Sequence, residues 1–268
     1  MVYDIPFPLG NSYHLKEMPN SGVIMKALII GDIHARFEKA EAHYNSIMQV
    51  HTGLTLDILI IPGDFGFWPR ARKNKPWTRK FPHKTVWVDG NHEDHEILLR
   101  LDEPNWGLES KNMPNLEGWQ ECLEQWEYKS RGTIEDGILY IGGAKSVGPN
   151  TSMRGIDWFP EENISYMDQE RVFNAIEEYG PENIHTVISH DCPGSFDVSV
   201  ACTSTGIEII DGNRKFLEAV KQYVRPSRWY FGHYHRSMSG NEDGTYWRCV
   251  NKINGNGKDD FVIVDLPD

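Results

Sequence analysis

The chain has 268 residues, 39% of them hydrophobic. That is enough to bury a substantial core, and surface-to-volume scaling favours one large domain over two small ones. With 27 Lys and Arg against 39 Asp and Glu the formal net charge is −12, which argues against a nucleic-acid coat protein and against a membrane-surface binder. The four cysteines, Cys122, Cys192, Cys202 and Cys249, form no C-x-x-C pair. This sets aside a zinc ribbon, a thioredoxin-type redox pair and a disulfide framework, and favours a reducing cytoplasmic setting. No signal-peptide pattern opens the sequence, and the longest apolar runs, such as Ile58 to Ile61, are strand-sized, far short of a membrane span. The expectation is a cytoplasmic protein with no membrane partner; no protein partner is readable.

Residues 1–22 are rich in Pro, Asn and Gly and read as an extended N-terminal arm, or as sequence upstream of a start at Met25. Residues 23–268 read as one domain. Val23–Ile30 is a buried strand, and Glu38–Val50 has helical spacing. Strands at Asp57–Ile61 and Thr85–Val88 follow, then a helix near Asp94–Leu101. Residues 102–130, with Trp106, Trp119 and Trp126, read as loop-like. A hairpin turns at Glu135-Asp136-Gly137 and returns as Ile138–Ile141. Residues 165–179 form a helix with Ser165 as N-cap and Gly180-Pro181 as its stop. His185–Ser189 is a strand and Asn213–Val224 a helix; Trp229–Phe231, Tyr246–Val250 and Phe261–Val264 are the last strands. Alternation of strands and helices at short intervals indicates a layered α/β domain.

The residues that carry chemistry stand just after strands, where open α/β sheets place their sites. They occur as Gly31-Asp32-Ile33-His34, Gly63-Asp64, Gly90-Asn91-His92-Glu93, His190-Asp191 and Gly232-His233-Tyr234-His235. Carboxylates, an amide and several imidazoles without a thiolate suit Mn²⁺, Fe or Zn²⁺ better than Ca²⁺. Seven such side chains exceed the needs of one ion and fit two ions sharing a bridging carboxylate.

In this order, Asp-x-His, Gly-Asp, Gly-Asn-His-Glu, a lone His and Gly-His-x-His, the sequence resembles the calcineurin-like metallophosphoesterase superfamily from Met25 to about Val264. The resemblance implies two facing mixed β-sheets flanked by helices. It implies that Asp32, His34 and His235 bind a first metal, that Asn91, His190 and His233 bind a second, and that Asp64 bridges them. Mn²⁺ ranks first among the metals, with Fe or Zn²⁺ as alternatives. His92 is implied as a substrate-facing general acid, and Asp32 as an orienter of the nucleophile, a metal-bridged hydroxide. The implied activity is hydrolysis of phosphate esters, mono- or diesters. The competing readings are a nuclease or nucleotide phosphodiesterase, and a binding scaffold that kept the fold and lost the chemistry.

The match departs from the protein phosphatase branch at the second block. Gly63-Asp64 continues as Phe65-Gly66-Phe67-Trp68, so Trp68 stands where that branch carries a phosphate-gripping Arg. One replacement is Arg154, followed by an aromatic-Pro-Glu-Glu stretch (Phe159 to Glu162) like that of small bacterial and phage members; the alternative for Arg154 is an ion pair with a nearby acid. Another is the segment 70–84, with Arg70, Arg72, Lys73, Lys75, Arg79, Lys80 and Lys84 and no acid. Its +7 within a chain of −12 leaves −19 on the remainder. Trp77 and Phe81 interleave these charges, as on surfaces that bind single-stranded nucleic acid or nucleotides. The plain alternative is a solvated loop. Gly142-Gly143-Ala144-Lys145-Ser146 lacks the upstream glycine of a P-loop, and Cys192 is set aside as a nucleophile. His95 is expected to serve the surface or the structure.

Overall fold

The computed structural model describes residues 24–70, 76, 81–99, 101, 116–146, 159–199, 211–253 and 260–266. The expected arm over 1–22 lies outside this set, as do Arg72, Lys73 and Arg154. In chain order the elements are β1 (Met25–Ile30), α1 (Phe37–Val50), β2 (Ile58–Ile61), β3 (Lys84–Trp87), α2 (His95–Leu98), α3 (Leu116–Gln125), β4 (Trp126–Tyr128), β5 (Thr133–Glu135) and β6 (Ile138–Ile141). They continue as α4 (Tyr166–Tyr179), β7 (Thr186–Ser189), α5 (Gly212–Val224), β8 (Arg228–Phe231), β9 (Met238–Glu242), β10 (Thr245–Cys249) and β11 (Phe261–Leu266).

The strands form two mixed sheets, one of five strands in the order β11-β1-β2-β3-β4 and one of six in the order β5-β6-β7-β8-β10-β9. Strands β1 to β4 are mutually parallel, with β11 antiparallel at one edge. In the second sheet β6, β7, β8 and β10 are parallel and the edges β5 and β9 are antiparallel.

Why the central strands are apolar throughout follows from their two buried faces. Side chains alternate across a strand, so Ala27 and Ile29, Ile58 and Ile60, Ile138 and Tyr140 enter one layer between the sheets. The intervening Leu28, Ile30, Leu59 and Ile61 face outward onto α1 and α3. Leu139, Ile141, Val187, Trp229 and Phe231 do the same beneath α4 and α5. Three apolar layers result, and each Leu- or Ile-sized side chain removed from water favours folding by about 1.5–3 kcal/mol.

Local signals hold where the sequence is explicit. The Ser165 hydroxyl accepts the Asp168 N–H at 3.1 Å, while the Asp168 carboxylate accepts the Ser165 N–H at 3.0 Å. This reciprocal cap starts α4, and Gly180 with φ 91° ends it. Two expectations are corrected. The stretch read as loop-like over 102–130 contains α3 and β4, because Trp119 and Cys122, three residues apart, both bury on the core. The helix expected near Asp94–Leu101 is the single turn His95–Leu98, and its His95 is 1% exposed, which fits the structural one of its two expected uses.

Candidate metal centre

The parallel strands β1, β2, β3, β7 and β8 all deliver their C-terminal ends to one place. Asp32 and His34 leave β1, Asp64 leaves β2, Asn91 and His92 follow β3, His190 follows β7, and His233 and His235 follow β8. The fold thus brings all seven proposed ligands, and His92, together from both sheets.

On one side His34 Nε2 lies 3.0 Å from His235 Nε2 and 3.5 Å from Asp64 Oδ2, and His235 Nε2 lies 3.3 Å from Asp32 Oδ2. One donor atom from each of Asp32, His34, Asp64 and His235 falls within 4.8 Å of the others, a grouping able to hold a metal ion. On the other side the amide oxygen of Asn91 is the common point, 3.2 Å from His190 Nε2 and 3.0 Å from His233 Nδ1. His190 Nε2 is also 3.2 Å from Asp64 Oδ1. Asp64 therefore turns one carboxylate oxygen toward each set.

The backbone presents these groups at a conformational cost. His34, Asp64, His233 and His235 have φ of 47°, 47°, 65° and 51°, as does Ala35 at 57°. Left-handed non-glycine residues cluster at functional sites because the surrounding structure must over-determine them. Hydrogen bonds supply that constraint: Asp32 Oδ2 accepts the His233 N–H at 3.1 Å, Asp64 Oδ1 accepts the His92 N–H at 2.9 Å, and the Asp64 carbonyl accepts the His34 N–H at 2.8 Å. His190 Nδ1 sits 2.8 Å from the Pro62 carbonyl. Donating there, it leaves Nε2 aimed into the site.

Burial is the largest influence on the imidazoles. It lowers His34 to about 4, against the opposing pull of Asp64 and Asp32, and lowers His233 to about 3, helped by the neighbouring His190. At His190 burial also disfavours the cation, but the Asp64 carboxylate outweighs it and raises the group to about 10. For Asp64 burial pushes upward and His190 holds the carboxyl well below its usual range. Asp32 and Asp64 are each 1% exposed, and their described ionic partners are imidazoles. Two buried carboxylates ringed by imidazole nitrogens and an amide oxygen are a donor set that fits divalent cations.

His92 is exposed, its ring centroid 5.1 Å from that of His34. Trp68 packs at 5.9 Å from Phe159. The basic segment is tied down at both described ends. The Arg70 guanidinium grips Asp94 through two nitrogens and reaches Glu96 at 2.8 Å, and Lys84 pairs with Glu127 and Glu135. Burial pushes the Cys192 thiol well up, which removes it as a nucleophile.

The sequence did not single out several supports. The Glu93 carboxylate accepts the N–H groups of Gly66 at 3.1 Å and Gly90 at 2.7 Å, clamping two of the turns together. Glu162 connects to Asn91 through the Ser146 hydroxyl. Glu93 stood within a recognised block and Glu162 within the aromatic-Pro-Glu-Glu stretch, but only the fold shows what they touch.

The sequence profile described as calcineurin-like phosphoesterase matches residues 25–237, well over half of the chain. The chain belongs to the calcineurin-like phosphoesterase family. The family is metal-dependent, and the observed α/β sandwich of two mixed sheets is the one the resemblance implied. No functionally curated protein matches this phosphoesterase. One solved structure superposes with a TM-score of 0.56 at 14% identity, covering 91% of this chain and 96% of that one; at that identity it speaks for the fold alone. Phosphopantetheinyl hydrolase (PptH) from Mycobacterium tuberculosis is similar at a TM-score of 0.45 and 15% identity, covering 92% and 98%. TT1561 of Thermus thermophilus is similar at 0.47 and 10%, covering 91% and 100%. Among the described residues no helix of the phosphoesterase is long and apolar enough to cross a membrane.

Proposed function

We propose that this phosphoesterase hydrolyses phosphate mono- or diesters at a centre of two divalent cations, and the carrying observation is the division of Asp64, Oδ2 toward His34 and Oδ1 toward His190. Asp32, His34 and His235 with Asp64 would hold one cation; Asn91, His190 and His233 with Asp64 would hold the other. Mn²⁺ suits the mixed oxygen and nitrogen set first, then Fe or Zn²⁺. When bound, such a pair supplies Lewis-acid charge to the phosphoryl group and makes water acidic enough to attack near neutrality.

The chain's own groups do the rest. His92 is fixed at its backbone by Asp64 and keeps its ring exposed at the mouth of the site. This supports His92 as the group that would give a proton to the leaving alkoxide. Asp32 is buried in the centre, and its carboxylate would orient the attacking water. Arg154 is proposed as the phosphate-gripping cation in place of the Arg that Trp68 displaces.

The substrate class is proposed as nucleotide or single-stranded nucleic acid in a second, narrower reading. The observation favouring it is that Arg70 clasps Asp94, three residues after Asn91. Arg70, two residues before Arg72 in the chain, is thereby held near the centre.

A Mn²⁺-supplemented panel of aryl phosphate, bis-aryl phosphate, nucleotides and single-stranded DNA or RNA tests both readings, alongside metal analysis of protein purified without chelator. The expected result is two cations per chain and hydrolysis abolished by chelator. No bound transition metal and no Mn²⁺-stimulated hydrolysis would instead identify a binding scaffold.

A further inference from the structure

The Gly142-Gly143-Ala144-Lys145-Ser146 stretch after β6, set aside as a P-loop, carries Ser146, whose hydroxyl lies between Asn91 and Glu162. Ser146 Oγ donates to Glu162 Oε2 at 2.8 Å, and the Ser146 N–H donates to Glu162 Oε1 at 2.7 Å. Glu162 is fully buried. A carboxylate only accepts, so the single hydroxyl proton of Ser146 is committed to it and lone pairs alone face Asn91. Asn91 Nδ2 donates to that oxygen at 3.2 Å. With its NH₂ turned to that oxygen, the amide turns its Oδ1 toward His190 and His233.

Glu162 is itself held by its backbone. Arg131 donates to the carbonyls of Glu161 at 2.9 Å and Glu162 at 3.2 Å while paired with Asp89 at 2.7 Å and Asp168 at 2.9 Å. Asp89 lies two residues past β3, the strand that delivers Asn91, so one buried guanidinium sets both ends of the relay.

We propose that Ser146 and Glu162 are positioning residues that decide which end of the Asn91 amide faces the second cation. The inference rests on the two-cation reading above. An amide turned about would aim two N–H donors at a cation, and partners of metal ligands typically govern 10–100-fold in affinity.

Calorimetric titration of the metal-free protein with Mn²⁺ tests this. Wild type is expected to take two cations. Ser146→Ala weakens one of them about 10–100-fold and leaves the other unchanged, while Ser146→Thr, which keeps the hydroxyl, retains both. An Asp in place of Asn91 has two equivalent oxygens and needs no orienting, so Ser146→Ala added to Asn91→Asp causes no further loss. Urea unfolding of each variant reports its folding. Unchanged affinity in Ser146→Ala, or equal weakening of both cations with lowered stability, overturns the inference alone. A wild type that takes fewer than two cations overturns the two-cation reading, and this inference with it.

Discussion

His190 Nε2 stands 3.2 Å from Asp64 Oδ1, although the two residues leave strands of different sheets, β7 and β2. Both are buried, so their attraction is little screened, and the pair joins the two halves of the sandwich at the centre. Such a pair tolerates little displacement, because a buried charge left alone is costly.

Gly63 makes room for it. Its φ is 102°, and a Cβ there would lie 2.1 Å from His190 Nδ1. Gly63→Ala is expected to lower stability by more than about 1 kcal/mol and to lose at least one cation through displacement of His190. Urea unfolding with metal analysis measures both; wild-type values for the two would contradict the packing described.

His92→Ala removes the proposed proton donor without touching a proposed ligand. The expected loss is about 10²–10⁴-fold in kcat with metal content nearly intact. Because a good leaving group needs less protonation, the loss should be smaller for a nitrophenyl ester than for an alkyl phosphate. Loss of metal together with activity would give His92 a different role.

His95 supplies a pH test away from the proposed ligands. Burial lowers it to about 4 from the ordinary 6.5, Asp89 partly opposing, and its Nε2 finds no hydrogen-bond partner among the described residues. As pH falls the unfolded chain takes up this proton first, so native stability declines from pH 6.5 down to about 4, by roughly 1.4 kcal/mol per unit. His34, His185 and His233 shift the same way and His190 the opposite way, so the measurement is the difference between wild type and His95→Gln in unfolding free energy across that window. The variant should show the shallower slope; parallel slopes would remove His95 from the account.

The segment 70–84 is tested by charge. Replacing Arg72, Lys73 and Lys75 together with Ala should raise KM for single-stranded nucleic acid and flatten its salt dependence, since each lost phosphate contact reduces the salt slope by about one. Aryl phosphate hydrolysis should stay unchanged. Equal effects on both substrates would leave the segment a solvated loop.

What could be read from the sequence was what lies in short strings. Asp32, Asp64, Asn91, His190 and His233 each sit at or just past the end of an apolar strand, and a turn so marked is a local signal. Elements fixed by distant packing were less visible. α3 holds a glycine, Gly118, and its helical form depends on Trp119 and Cys122 finding the core that Phe37 and Trp126 share. β9 contains Ser239, Gly240 and Asn241, poor strand formers. It forms as the edge partner of β10, where the Trp247 ring fills the place a Cβ on Gly240 would take, 2.6 Å away. Ser146 and Glu162 meet across 16 residues of chain, and no spacing rule announces that contact.

Four residues with proposed roles in the centre, His34, Asp64, His233 and His235, hold their φ where glycine alone would sit at ease, and Ala35 holds it with no donor to offer. Mutation toward glycine at the four would relax the chain and erase its chemistry in the same step. Selection at these positions therefore runs against the backbone's own preference, and a drifting descendant that shed its activity should gain thermal robustness.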